Sequence, residues 1–176
     1  VFTYHHSRAD GWVPVAEALA AADFVVVCAH PVRSEMAGAT PKHQAKAPIL
    51  YDAVFVCRKR GRTLSAVGTP PDSSAGARLR AAHARAAAQA DRLARAGFAV
   101  GAGDAQVLLA AQLLVGVEGT PSDIVRLLTA AADDLASAAA DLVREACSIA
   151  EALDGDCTKL ADHDRSGGRV QQELAL

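Results

Sequence analysis

The sequence predicts an α/β sheet followed by an α-helical region, and three observations carry that reading. Short apolar runs rich in Val, Phe and Tyr mark strands in the first third of the chain. Beyond residue 76 the apolar positions recur at helical spacing. Of 176 residues 41 are alanine while aromatics are only 4%, which favours closely packed helices over an aromatic-rich β architecture.

Val1 to Tyr4, Phe24 to Val32 and Ala53 to Cys57 lack helical periodicity and read as buried strands. Between the first two, Trp12, Val15, Ala16, Leu19 and Ala20 recur at three and four, so Trp12 to Ala22 reads as a helix. Pro14 falls in its first turn, where a missing N–H costs nothing. Strand, helix, strand makes a βαβ unit, which predicts a parallel pair with a right-handed crossover. Arg58 to Gly76 is basic, then rich in Gly, Pro and Ser, and marks a boundary.

Ala77 to Ala96 then places Leu79, Ala86 and Leu93 on one helical face and Arg78, Arg85, Arg92 and Arg95 on a neighbouring one, with Gly97 as C-cap. A second helix is predicted from Asp104 to about Val115. A third starts with Thr120 as N-cap and Pro121 at its first position. It carries a heptad: Leu128, Leu135, Leu142 and Ile149 at one position, Val125, Ala132, Ala139, Ala146 and Leu153 at the other. At about 1.5 Å per residue it would exceed about 40 Å. Its partner is either the arginine helix or another subunit. The expected organisation is residues 1–66 as a sheet region, 77–153 as a helical region and 154–176 as a loose tail.

A net charge of −2 excludes a globally basic nucleic-acid coat but leaves room for a local basic patch. Cys28, Cys57, Cys147 and Cys157 form no CxxC pair, so no zinc ribbon or thioredoxin-type site is expected, and no metal site. Cys28 and Cys57 sit in apolar runs, as buried thiols of a reducing cytosol would. With no apolar stretch of membrane-spanning length and no leader pattern, a soluble, cytoplasmic chain without a membrane partner is expected. The chain opens inside a strand-like run, and reads as a piece of a longer protein.

Open α/β sheets bind ligands at the carboxyl ends of their parallel strands. Tyr4, His5, His6 and Ser7 leave the first strand there; Pro31, Val32, Arg33, Ser34 and Glu35 leave the second. The loop to Leu50 adds Lys42, His43 and Lys46 to the same rim. Paired histidines most often hydrogen-bond loop backbone; contact with substrate or DNA is the sharper reading. Adjacent histidines on a strand point to opposite faces and rarely share a metal. Arg58, Lys59, Arg60 and Arg62 follow the third strand; such runs are usually solvated faces, with phosphate contact the competitor.

Three patterns fail on inspection. Gly101-Ala102-Gly103-Asp104 lacks the third glycine of a nucleotide loop and reads as a connection between helices, so a small nucleotide-binding protein is the weakest reading. Thr69-Pro70-Pro71-Asp72 has neither the leading carboxylate or amide nor the closing aromatic of an amino-methyltransferase loop. Ser34 and Glu35 near His5 or His6 lack the nucleophile-elbow glycines of a hydrolase.

Val1-Phe-Thr-Tyr-His-His6, Trp12, Ala18-Leu19, Phe24, Pro31-Val32, Ser34-Glu35 and Tyr51-Asp-Ala-Val-Phe-Val-Cys57-Arg58-Lys59 occur in an order that resembles the later part of the catalytic domain in bacterial adenine-specific DNA methylases. Ala96-Gly-Phe98, Asp104 and Gly116 more weakly resemble a following helical segment. The strong part covers about a third of the chain. The resemblance implies a partial Rossmann-like methyltransferase sheet whose last strand returns antiparallel between its neighbours. It also implies methyl transfer from S-adenosylmethionine to the exocyclic amine of adenine in DNA. The family's Asp-Pro-Pro-Tyr loop and glycine-rich cofactor loop have no counterpart here and are expected upstream of Val1, with the remainder of the methylase chain as partner. His5, His6, Ser34 and Glu35 would then line the substrate-site rim, while Arg33, Lys42, Arg58, Lys59 and Arg60 would contact DNA. No catalytic residue is assigned, and this chain alone is not expected to methylate. The alternative is a non-enzymatic helical module, dimerising or docking through the heptad helix.

Overall fold

The computed structural model describes residues 1–6, 8–34, 49–60, 74–117 and 132–154. Their order is β1 (Phe2–Tyr4), a 3-10 turn (Ala9–Trp12), α1 (Val13–Ala21), β2 (Phe24–Arg33), β3 (Tyr51–Lys59), α2 (Ala75–Arg95), α3 (Ala102–Leu114) and α4 (Ala132–Asp154). The described residues are thus mixed α and β, with a three-stranded sheet in the order β1-β3-β2. Among the described residues no helix is long and apolar enough to cross a membrane.

The sheet corrects the predicted parallel pair. β3 lies between β1 and β2 and is antiparallel to both. β1 and β2 therefore run in one direction, as a helical crossover requires, but they do not touch. The long connection from Arg33 to Tyr51 lets the third strand reverse into the gap. Central position suits β3, whose Tyr51, Ala53 and Phe55 alternate with half-buried Asp52, Val54 and Val56. Phe55 is 0% exposed, pairs with Phe2 on one side and Ala29 on the other, and meets the ring of Trp12 edge-on.

β2 carries a bulge between Val26 and Cys28, and its outer edge is closed by polar groups from the helices. Gly116, at φ 69°, donates its N–H to the Val26 carbonyl at 2.8 Å. Buried Gln89 of α2 and Gln112 of α3 both donate to the Ala29 carbonyl, at 2.6 and 3.0 Å. Arg85 orients Gln112 by donating to its side-chain and main-chain oxygens. That guanidinium has no carboxylate partner among these contacts, and burial lowers its pKa from the ordinary value.

Helix boundaries follow local chemistry. The Ser74 hydroxyl accepts from the Ala77 N–H at the start of α2, and Gly97 at φ 79° closes its end. α4 packs on α2 and α3 within the chain. Of its heptad, Ala139, Leu142 and Ala146 are buried and Ile149 is half-buried. The described part of the stripe is therefore covered by this chain's own helices, and the arginine helix is its partner. Val125, Leu128 and the cap at Thr120 lie outside the described residues. One core unites sheet and helices, running from Trp12 and Phe55 through Leu108 and Leu109 to Leu142.

Candidate functional site

The carboxyl ends of β1 and β2 and the start of β3 share one end of the sheet, because β3 reverses between them. Val32 pairs with Asp52 and Arg33 with Tyr51 on one side of β3. On the other side His5 follows the Tyr4–Ala53 pair and meets Asp52, with Nδ1 against Oδ1 of the carboxylate. This rim holds His5, His6, Arg33 and Ser34 of the residues expected from sequence, together with Asp52, which sequence reasoning did not single out. Glu35, Lys42, His43 and Lys46 lie outside the described residues.

The two histidines have different duties. His6 Nδ1 accepts the Arg8 N–H at 3.1 Å, and its carbonyl accepts Trp12 Nε1–H at 3.0 Å. Tyr4 Oη–H donates to the Gly11 carbonyl at 2.7 Å. His6 thus organises backbone, the bland alternative for a paired histidine. A Cβ at Gly11 would land inside the His6 ring. Gly11→Ala is therefore expected to lower stability by about 1–3 kcal/mol through overpacking, and to change Trp12 fluorescence. An unchanged melting temperature and emission spectrum would show that the imidazole is free to move aside. Ser34 is buried, and its N–H donates to the Leu50 carbonyl at 2.8 Å.

Asp104 anchors the floor of this rim. It sits in the first turn of α3, is 0% exposed, and accepts three backbone N–H groups. Oδ1 takes those of Leu50 at 2.7 Å and Tyr51 at 3.2 Å; Oδ2 takes that of Gly101 at 3.1 Å. The Tyr51 hydroxyl donates to the Ala99 carbonyl at 3.2 Å. The sequence signal for Asp104 was its place three residues after Gly101, the capping position. For Asp52 it was a lone carboxylate in an apolar strand.

Arg58, Lys59 and Arg60 stand at the opposite end of the sheet. Asp52 and Arg58 are six residue steps apart along β3, about 20 Å at strand rise. Lys59 is committed locally, donating to the Ala22 carbonyl at 2.7 Å with its ammonium 4.5 Å from the Phe24 ring centroid. Arg60 lies 3.4 Å from the Asp23 carboxylate. Arg58 is exposed. The basic run and the histidine rim are thus two separate surfaces.

Cys57 is partly buried, which pushes its thiol pKa up from the ordinary value. Among the described residues no group of three or more His, Cys, Asp or Glu is gathered to hold a metal. A groove of about 230 Å³ lies between α2 and α4, walled by Ala87, Ala90, Leu142 and Ala146, away from the rim strands. The glycine turn at 101–103 does not fit a nucleotide cofactor, because the Gly101 amide is already taken by Asp104. Compared with known proteins, the chain matches no family model, no curated protein and no solved structure.

Proposed function

We propose that this chain is part of an adenine-specific DNA methylase, contributing the substrate-site rim and DNA contacts while the methyl donor and catalytic loop are held elsewhere. The observation that carries this reading is the antiparallel β3 between two co-directional strands, the strand arrangement that the resemblance implies. Polar side chains gathered at the carboxyl ends of β1 and β2 support it. The alternative, a dimerisation module acting through the heptad helix, draws no support from α4, whose described stripe is already buried within the chain.

Duplex binding followed by fluorescence anisotropy across a salt series tests the proposal. Arg58→Ala with Arg60→Ala is expected to weaken binding uniformly across sequences and to reduce the salt slope by about one for each phosphate that is no longer neutralised. Arg33→Ala, at the other end of the sheet, reports separately on the rim. If the parent chain binds no duplex, or if neither variant alters the slope, the proposed DNA role is wrong.

A further inference from the structure

We propose that His5 and Asp52 form a recognition point at the sheet rim, where Asp52 sets the imidazole tautomer and His5 Nε2 accepts a hydrogen bond from the amino group of a heteroaromatic ring. The choice of ring rests on the methylase reading; the imidazole–carboxylate pair does not.

Asp52 Oδ1 is shielded from solvent and has no hydrogen bond of regular geometry, yet His5 Nδ1 lies against it. A buried carboxylate oxygen without a donor is costly, and among the described residues the imidazole is the donor within reach. The proton of the neutral ring therefore belongs on Nδ1, which leaves the lone pair on Nε2. Among the described residues His5 has no polar partner besides Asp52, and its side chain is 37% exposed. His6 cannot serve in this way, since its Nδ1 is engaged by the Arg8 amide and its ring packs on Gly11. Asp52 is a positioning residue, acting through the ring.

Three strands set the shape of the point. His5, Asp52 and Val32 sit side by side on one face of the rim, spanning two strand spacings, about 10 Å. Val32 is 40% exposed, an apolar residue on an otherwise polar edge. An acceptor at one end and an apolar surface at the other suit a planar ring that rests on Val32 and donates its amine to Nε2. The exocyclic amine of adenine is such a donor, and a purine without it is not.

Nitrogen-15 NMR of the histidines in the full chain tests this, with His5→Gln identifying the resonance. The expected spectrum has His5 protonated at Nδ1 and not at Nε2. Adenosine is expected to shift the Nε2 signal saturably, and purine riboside, which lacks the amine, to leave it in place. Asp52→Ala should weaken the adenosine response about tenfold, the equivalent of one hydrogen bond, and Asp52→Asn should restore part of it. A proton on Nε2, or equal responses to the two nucleosides, would overturn the proposal. Should Asp52→Ala fail to fold, the comparison of nucleosides on the unaltered chain still decides. The salt-slope experiment is independent: duplex binding through the arginines with no adenosine response at His5 sinks only this inference, whereas absence of duplex binding sinks the methylase reading.

Discussion

Asp104→Ala is expected to lower the folding free energy by about 3–5 kcal/mol, measured by urea unfolding with Trp12 fluorescence as reporter. Trp12 suits the purpose because it is the sole tryptophan and 1% exposed. The alanine variant removes one carboxylate and orphans three N–H groups at once: two at the start of β3 and one at the start of α3. Each unsatisfied buried donor costs about 1–3 kcal/mol, and the positive end of the helix also loses its countercharge. Part of the sum is recovered as water reaches the freed amides. Against a total stability of about 5–15 kcal/mol, such a loss leaves the chain close to unfolding. Asp104→Asn keeps one acceptor oxygen for the two strand amides but turns its NH2 group towards the Gly101 N–H, so an intermediate loss is expected. A loss under about 1 kcal/mol for alanine would mean that the strand and helix do not depend on this junction.

Phe55→Ala is the second large effect, expected at about 3–5 kcal/mol by the same measurement. Phe55 occupies the middle of the central strand with 0% exposure. Phe2 stacks on it at 5.0 Å between ring centroids, and Trp12 meets it edge-on at 5.9 Å. Deleting the ring removes the transfer contribution and leaves a cavity that β1 and the Trp12 turn can only partly fill. β1 is only three residues long, so its ladder to β3 is short and the Phe2–Phe55 ring contact adds to what holds it. The variant is therefore expected to expose Trp12 and red-shift its emission before the helices melt. Simultaneous loss of fluorescence and helical signal at an unchanged midpoint would contradict that role for Phe55.

Much of the chain is legible as elements. The alternation of Tyr51, Ala53 and Phe55, the Trp12 to Ala20 stripe, Pro14 in the first turn and Gly97 after Arg95 are all local signals, and the elements up to α3 stand within a few residues of their expected bounds, while the expected start of the last helix at Thr120 lies outside the described residues. Pairing is not legible in the same way. The inferred β1–β2 pair fails because a βαβ pattern dictates direction but not adjacency, and nothing local to either strand says that β3 will insert between them. The bulge at Val26–Cys28 and the two glutamines on Ala29 are equally invisible, since Gln89 and Gln112 lie 60 and 83 residues from the carbonyl they satisfy.

The candidate site divides along the same line. Topology places the rim residues at the ends of β1 and β2, and His5, His6, Arg33 and Ser34 do share one end of the sheet. Their roles are not readable from sequence: His6 closes a turn, and Ser34 is buried. Nor does the basic run after β3 reveal by itself which end of the sheet it occupies; the antiparallel return carries it away from the rim.

By itself the sequence determined the type of the described elements and the span of those up to α3, because helix and strand periods, caps and breakers act over a few residues. It also determined which faces would be apolar, including the alanine-rich helices and the Leu142 stripe of α4. Local patterns left the middle strand undecided, though the resemblance implies it; only the tertiary structure decided which helix covers the heptad stripe and that Asp52 meets His5. These are contacts between residues tens of positions apart, chosen by competition for burial and for hydrogen-bond partners across the whole fold. A local pattern has no access to that competition.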